Sequence, residues 1–196
     1  MTTLIDSMIE RAKADKKTIV LPEGHDDRIL AAAEEALKQG IANLVILGDA
    51  EEINAKGYNL EGAKIINPAT SEKVEEFASL LYELRKKKGM TEEEAHELVT
   101  NDNIYFATMM VKPGQCDGLV GGASCATVKI LSPALKVLKT APGAPMVSSL
   151  FLMEVPNCDL GENGVFAFAD CALEIQPTAE KLAHIANLTS PSFKRL

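Results

Sequence analysis

The sequence predicts an α/β protein, a parallel sheet covered by helices on both faces, followed by a second, incomplete α/β domain. Three observations lead there. Short β-branched runs alternate with amphipathic stretches of helical period. Gly or Pro punctuates most junctions where a strand must turn into a helix. A hydrophobic content of 46% with 24% charged residues is ordinary globular composition.

Thr18-Ile19-Val20-Leu21 is the first strand and Pro22-Glu23-Gly24 its turn; Asp26 to Gln39 is a helix that Gly40 ends. Leu44-Val45-Ile46-Leu47 repeats the strand, Ala50 to Lys56 is a short helix, and Ala63 to Ile66 a third strand. Right-handed crossovers would open the carboxyl ends of these strands on one edge, where such sheets usually bind ligands. A long helix is expected from Ser71 to Lys88, with Val74, Phe77, Ala78, Leu81 and Leu84 on its apolar face. Thr91 and Glu94 carry a capping-box spacing for a helix over Glu92 to Val99, and Ile104 to Val111 reads as a buried helix.

Asp117 to Ala123 reads as a buried strand entering a glycine turn, with a helix from Thr127 to Lys139 behind it. Pro142-Gly143-Ala144-Pro145 marks a boundary between domains at residues 1–144 and 145–196. Beyond it, Met146 to Val155 and Val165 to Ala169 are strands and Ala179 to Ala186 a helix, while Leu188 to Leu196 carries little pattern.

Charge and composition exclude several function classes. The 196 residues hold 20 Lys and Arg against 28 Asp and Glu, a net charge of −8 spread along the chain, which disfavours a nucleic-acid footprint. The single basic run, Arg85 to Lys88, is too short to alter that. No apolar run approaches the roughly 20 residues a bilayer requires, and the start lacks a signal-peptide core, so the protein is expected in the cytoplasm. Cys116, Cys125, Cys158 and Cys171 form no CxxC pair, so no metal is expected. His25, His96 and His184 are scattered and read as surface or helix-flank residues.

Two features could carry chemistry. The turn Gly121-Gly122-Ala123-Ser124, between a strand and a helix, can aim backbone N–H groups at a phosphate, although a plain tight turn has the same composition. Arg85, at the end of the long helix, offers a planar fork suited to phosphate, or simply complements the helix dipole. Glu23 and Asp26 follow the first strand and could touch a ligand, with Asp26 also a natural N-cap. Periodicity and spacing stop at an α/β protein with a candidate anion site.

The wording of the sequence goes further. Leu21-Pro22-Glu23, Tyr82-Glu83-Leu84-Arg85-Lys86, Tyr105 to Lys112, Asp117 to Ala123, Leu138-Lys139-Thr140, Glu154 to Cys158 and Phe168-Ala169-Asp170-Cys171 closely resemble, in order, the phosphate acetyltransferase (phosphotransacetylase) family. The resemblance covers residues 1–186. It implies a cytoplasmic, metal-independent acyltransferase of acetate metabolism that exchanges an acetyl group between coenzyme A and phosphate. It further implies a two-domain α/β homodimer with its site in the interdomain cleft, and no tightly bound cofactor, coenzyme A being a substrate. The partners so implied are small molecules: coenzyme A, acetyl phosphate and phosphate, with no nucleic acid and no membrane.

By similarity, Arg85 matches a substrate-site arginine, and Gly121, Gly122, Ala123 and Ser124 match a glycine-containing loop at the cleft. Where the family writes an arginine before a helix-opening proline, this chain has Ser132 before Pro133, with Lys129 as the nearby positive charge. The family continues beyond this length with a serine-arginine pair and an aspartate assigned to catalysis, and from Asn187 the ending departs from its pattern, so the chain is expected to be an incomplete form. Phosphate butyryltransferase and a non-catalytic acetyl-CoA-binding or dimerisation module are the alternatives.

Overall fold

The computed structural model describes residues 4–195. The chain divides into a larger unit, Ile9–Lys139, and a smaller one formed by the residues up to Met8 and from Thr140 onward. A helix, α1 (Leu4–Ala14), opens the described chain.

The larger unit holds the predicted parallel sheet, in the order β3-β2-β1-β4, from β1 (Lys17–Leu21), β2 (Ala42–Leu47), β3 (Lys64–Ile66) and β4 (Gly118–Leu119). Ile19 sits opposite Leu44 on one side and Gly118 on the other. Successive side chains of a strand point to opposite faces, so Val20, Val45 and Leu47 enter one core while Leu21, Leu44 and Ile46 enter another. The first core is filled from α4 (Val74–Arg85), α5 (Glu92–Asn101), α6 (Asn103–Val111) and α7 (Thr127–Val137), through Phe77, Leu81, Val99, Phe106, Met109 and Val137. Phe77 and Phe106 meet edge to face with centroids 5.2 Å apart. The second core is filled by Leu30 and Ala33 of α2 (Asp27–Gln39) and Ile53 of α3 (Ala50–Ala55).

Local signals set the boundaries. Asp26 caps α2 by accepting from the Arg28 amide, and Gly40, at φ +68°, ends it. Thr91 and Glu94 close the capping box at the head of α5. All residues of α6 from Ile104 to Met110 are buried.

Two spans of the larger unit differ from the sequence reading. The long helix expected over Ser71–Lys88 is α-helical only from Val74 to Arg85: Ser71–Lys73 lead into it without helical structure, and Lys86–Lys88 tighten into a 3₁₀ turn. Strand β4 keeps only Gly118–Leu119 of the span to Ala123, since Gly122, at φ +108°, bends the chain away. Hydrogen bonds from Asp117 N to Thr18 O (2.8 Å) and from Val120 N to Val20 O (3.1 Å) still hold its two ends on β1.

In the smaller unit β5 (Leu150–Glu154) and β6 (Val165–Ala169) pair antiparallel, Leu150 opposite Ala169, and leave Phe151, Met153 and Phe168 exposed. Here α8 (Ala179–Phe193) continues past Ala186 through Pro191. Pro191 has no N–H for the Asn187 carbonyl, and the Ser192 hydroxyl donates one residue further on, to Leu188 O at 3.0 Å. No helix among the described residues is long and apolar enough to cross a membrane.

Candidate active site

The chain leaves β1 through Pro22-Glu23-Gly24, and close packing fixes its path. A side chain at Gly24 would put its Cβ 2.5 Å from the Leu47 carbonyl oxygen, to which the Gly24 amide donates at 3.2 Å. A Cβ at Gly121 would stand 2.9 Å from Pro22 Cγ. Glycine at position 24 lets the β1 exit approach the end of β2, glycine at position 121 lets the β4 exit approach the β1 exit, and Glu23, 3% exposed, enters the turn after β4.

There its carboxylate collects four donors. The amides of Gly122, Ala123 and Ser124 donate to it at 2.6, 2.9 and 2.7 Å, and the Ser124 hydroxyl donates at 2.7 Å. The N–H groups that the sequence reading left free for a phosphate therefore already hold an anion, one belonging to the chain itself. Burial alone raises the Glu23 carboxyl; the Ser124 hydroxyl and the three amides outweigh it and bring the pKa down to about 2. The carboxylate is ionised at neutral pH. Its charge and the turn's N–H dipoles satisfy one another.

The surrounding side chains are arranged around this clasp. His25 Nε2 lies 3.0 Å from Ser124 Oγ. Arg28 grips Asp26 with both arms, Nε to Oδ1 at 3.0 Å and Nη2 to Oδ2 at 2.7 Å, and also donates to the Ala123 carbonyl. The Arg28 hydrogen bonds hold the Asp26 carboxyl down to about 2. Burial, then the Glu23 charge, push the Cys125 thiol up, with Lys129 opposing, so this cysteine stays a thiol rather than a nucleophile.

Of the residues singled out from sequence, Gly121, Gly122, Ala123 and Ser124 are thus brought together with Glu23. Arg85 ends α4 and Lys129 lies in the first turn of α7, and among the described residues no hydrogen bond or ion pair ties either to the glycine turn. Arg85 Nε is buried without a hydrogen-bond partner among the described residues, a donor left available. Sequence reasoning missed His25 and Arg28, because their partners at Ser124 and Ala123 lie 99 and 95 residues away. A cavity of about 760 Å³ between α4 and α5 holds none of these residues. Its lining includes Glu75, Glu83, Glu92, Glu93 and Glu97, which would repel a phosphate. The described residues contain no group of three or more His, Cys, Asp or Glu able to hold a metal ion.

The smaller unit carries a clasp of the same kind. Asp170 accepts from the Ser149 amide and hydroxyl at 3.0 and 2.8 Å and from the amides of Ala172 and Leu173 at 2.7 and 2.8 Å. Burial raises its carboxyl, and these donors reverse the shift to well below the usual carboxylate range. By taking both Ser149 groups, Asp170 starts β5 at Leu150 rather than at the expected Met146.

Residues 3–196 match the family described as phosphate acetyl/butaryl transferase, the tail from Asn187 included, so the ending does not leave the family pattern. The chain is 55% identical over 196 residues to a phosphate acetyltransferase of Thermoanaerobacterium thermosaccharolyticum, covering 99% of this chain and 60% of that protein. It is 50% identical to that of Acetivibrio thermocellus, covering 99% and 59%. The chain thus spans about three-fifths of the length of these curated relatives. A phosphotransacetylase structure from Streptococcus pyogenes superposes with a TM-score of 0.82 at 35% identity, over 94% of this chain and 56% of that one. The EutD phosphotransacetylase of Staphylococcus aureus does so at 0.82 and 34%, over 93% and 54%. The match along residues 3–196, with relatives at 50% and 55% identity, makes the chain a member of the phosphate acetyl/butaryl transferase family.

Proposed function

We propose that the protein is a phosphate acetyltransferase, exchanging an acetyl group between coenzyme A and phosphate. The observation that carries this reading is the 55% identity to a phosphate acetyltransferase along 99% of the chain. Acetyl transfer asks for three things. The coenzyme A thiol, with a reference pKa of about 8.5, must lose its proton to attack the carbonyl of acetyl phosphate. The oxyanion that forms must be stabilised. The phosphate that departs must be held by cationic donors.

Within this reading Arg85 and Lys129 supply positive charge to the phosphate groups, and the unpartnered Arg85 Nε supports the arginine's part. Gly121, Gly122, Ala123 and Ser124 shape the wall on which the substrate rests, held rigid by Glu23. Coenzyme A serves as substrate with no tightly bound cofactor. We place the protein in the cytoplasm, as a homodimer.

The test is thioester formation from acetyl phosphate and coenzyme A by the purified 196-residue chain, set beside equilibrium binding of coenzyme A. Turnover that falls at least tenfold in Arg85→Ala is the expected result. Binding without turnover selects a coenzyme A-binding module instead, and the absence of both binding and turnover overturns the reading.

A further inference from the structure

The chain Glu23–Ser124–His25 has its protons fixed by geometry. A serine hydroxyl has one proton to give. Ser124 Oγ stands 2.7 Å from a carboxylate oxygen of Glu23 that carries negative charge and can only accept, so the proton lies between those two oxygens. Placed elsewhere, it would leave two sets of lone pairs facing each other at that distance. Ser124 Oγ then presents lone pairs to His25 at 3.0 Å, and Nε2 must be the donor. A neutral imidazole with its proton on Nε2 is bare at Nδ1, and the exposed His25 ring has no partner for Nδ1 among the described residues. This order is the reverse of a serine nucleophile activated by histidine, where the hydroxyl donates to the ring.

We infer that Glu23 is a positioning residue which, acting through Ser124, holds the ring proton of His25 on Nε2 and leaves Nδ1 as the acceptor for a neutral hydrogen-bond donor of coenzyme A. The donor is an amide N–H, a hydroxyl or the thiol, and not a phosphate oxygen, which a bare nitrogen repels. The inference rests on the function proposed above for its ligand, and on the hydrogen-bond chain alone for its proton. Other charged groups beside the ring are paired: Asp26 with Arg28, and Asp27 with Lys56, whose Nζ also donates to the His25 carbonyl at 2.9 Å.

The measurement is ¹⁵N–¹H correlation of the His25 ring in the full chain at pH 8, where imidazole side chains are ordinarily neutral. An Nε2–H signal and an unprotonated Nδ1 are expected. Exchange of that ring proton with water should quicken about tenfold in Ser124→Ala and return in Ser124→Thr, which keeps the hydroxyl. Adding coenzyme A should move the Nδ1 resonance, and adding inorganic phosphate should leave it in place. A proton on Nδ1, an exchange rate indifferent to Ser124→Ala, or an Nδ1 that follows phosphate overturns the inference. Coenzyme A shifts elsewhere in the protein with Nδ1 unmoved overturn it while the proposed function stands. No coenzyme A shift anywhere removes the function and this ligand together.

Discussion

Glu23 and Asp170 are the same device used at two ranges. Each is a carboxylate that takes a serine hydroxyl together with three backbone amides. Glu23 reaches partners 99 to 101 residues away, whereas Asp170 reaches across 2, 3 and 21 residues. Local closure restricts little of the unfolded chain, and closure across a hundred residues must be stabilised by the folded sheet itself. Glu23 is accordingly deeply buried and Asp170 only half-buried. The long-range clasp depends on the fold of the whole larger unit, while the short-range one shapes a hairpin entrance.

The difference can be broken most directly at Glu23. Glu23→Ala strands three amides and a hydroxyl without their acceptor, and denaturant unfolding should show a loss on the order of 3–5 kcal/mol. Equal stability would mean that water replaces the carboxylate without cost. Acid is the milder version of that experiment. The folded Glu23 pKa, about 2, lies below its ordinary 4.5, so its stabilisation is complete above that ordinary value and disappears as pH falls toward 2. The shift corresponds to about 3 kcal/mol, and Glu23→Gln should flatten the stability profile between those limits.

Asp170→Ala should cost less, about 1–3 kcal/mol, with amide exchange quickening around Ser149, Ala172 and Leu173 but not around Gly122. Quickening at Gly122 would join the two clasps into one cooperative element. The smallest effect sharpens the scale. Thr91→Ala removes one side-chain cap at the head of α5 and touches neither carboxylate, so its loss should be about 1 kcal/mol.

How much of this was legible beforehand depends on the reach of each signal. The β-branched runs around Val20 and Val45, the Gly40 stop and the Thr91-Glu94 box act over a few residues, and each marks an element that forms. Glycine at Gly121 and Gly122 marked a turn, but nothing local says that its N–H groups face a glutamate from the first strand exit. His25 looked like a flank residue for the same reason, its partner being remote in sequence. The tail misled through composition: Leu188 to Leu196 carries little pattern, yet α8 runs on to Phe193 because Pro191 forfeits one hydrogen bond and the helix already in place tolerates the loss.

The outermost strands of the parallel sheet, β3 and β4, are only three and two residues long. Such stubs give a foreign chain hardly any ladder to copy, which guards the sheet against fibrous growth from its flanks. The hairpin differs: apart from a single bridge between Glu162 and Val165, no third strand flanks its five-residue rails among the described residues, and Phe151 and Phe168 stand uncovered. Self-association by strand addition, if it is ever provoked in concentrated solution, starts there.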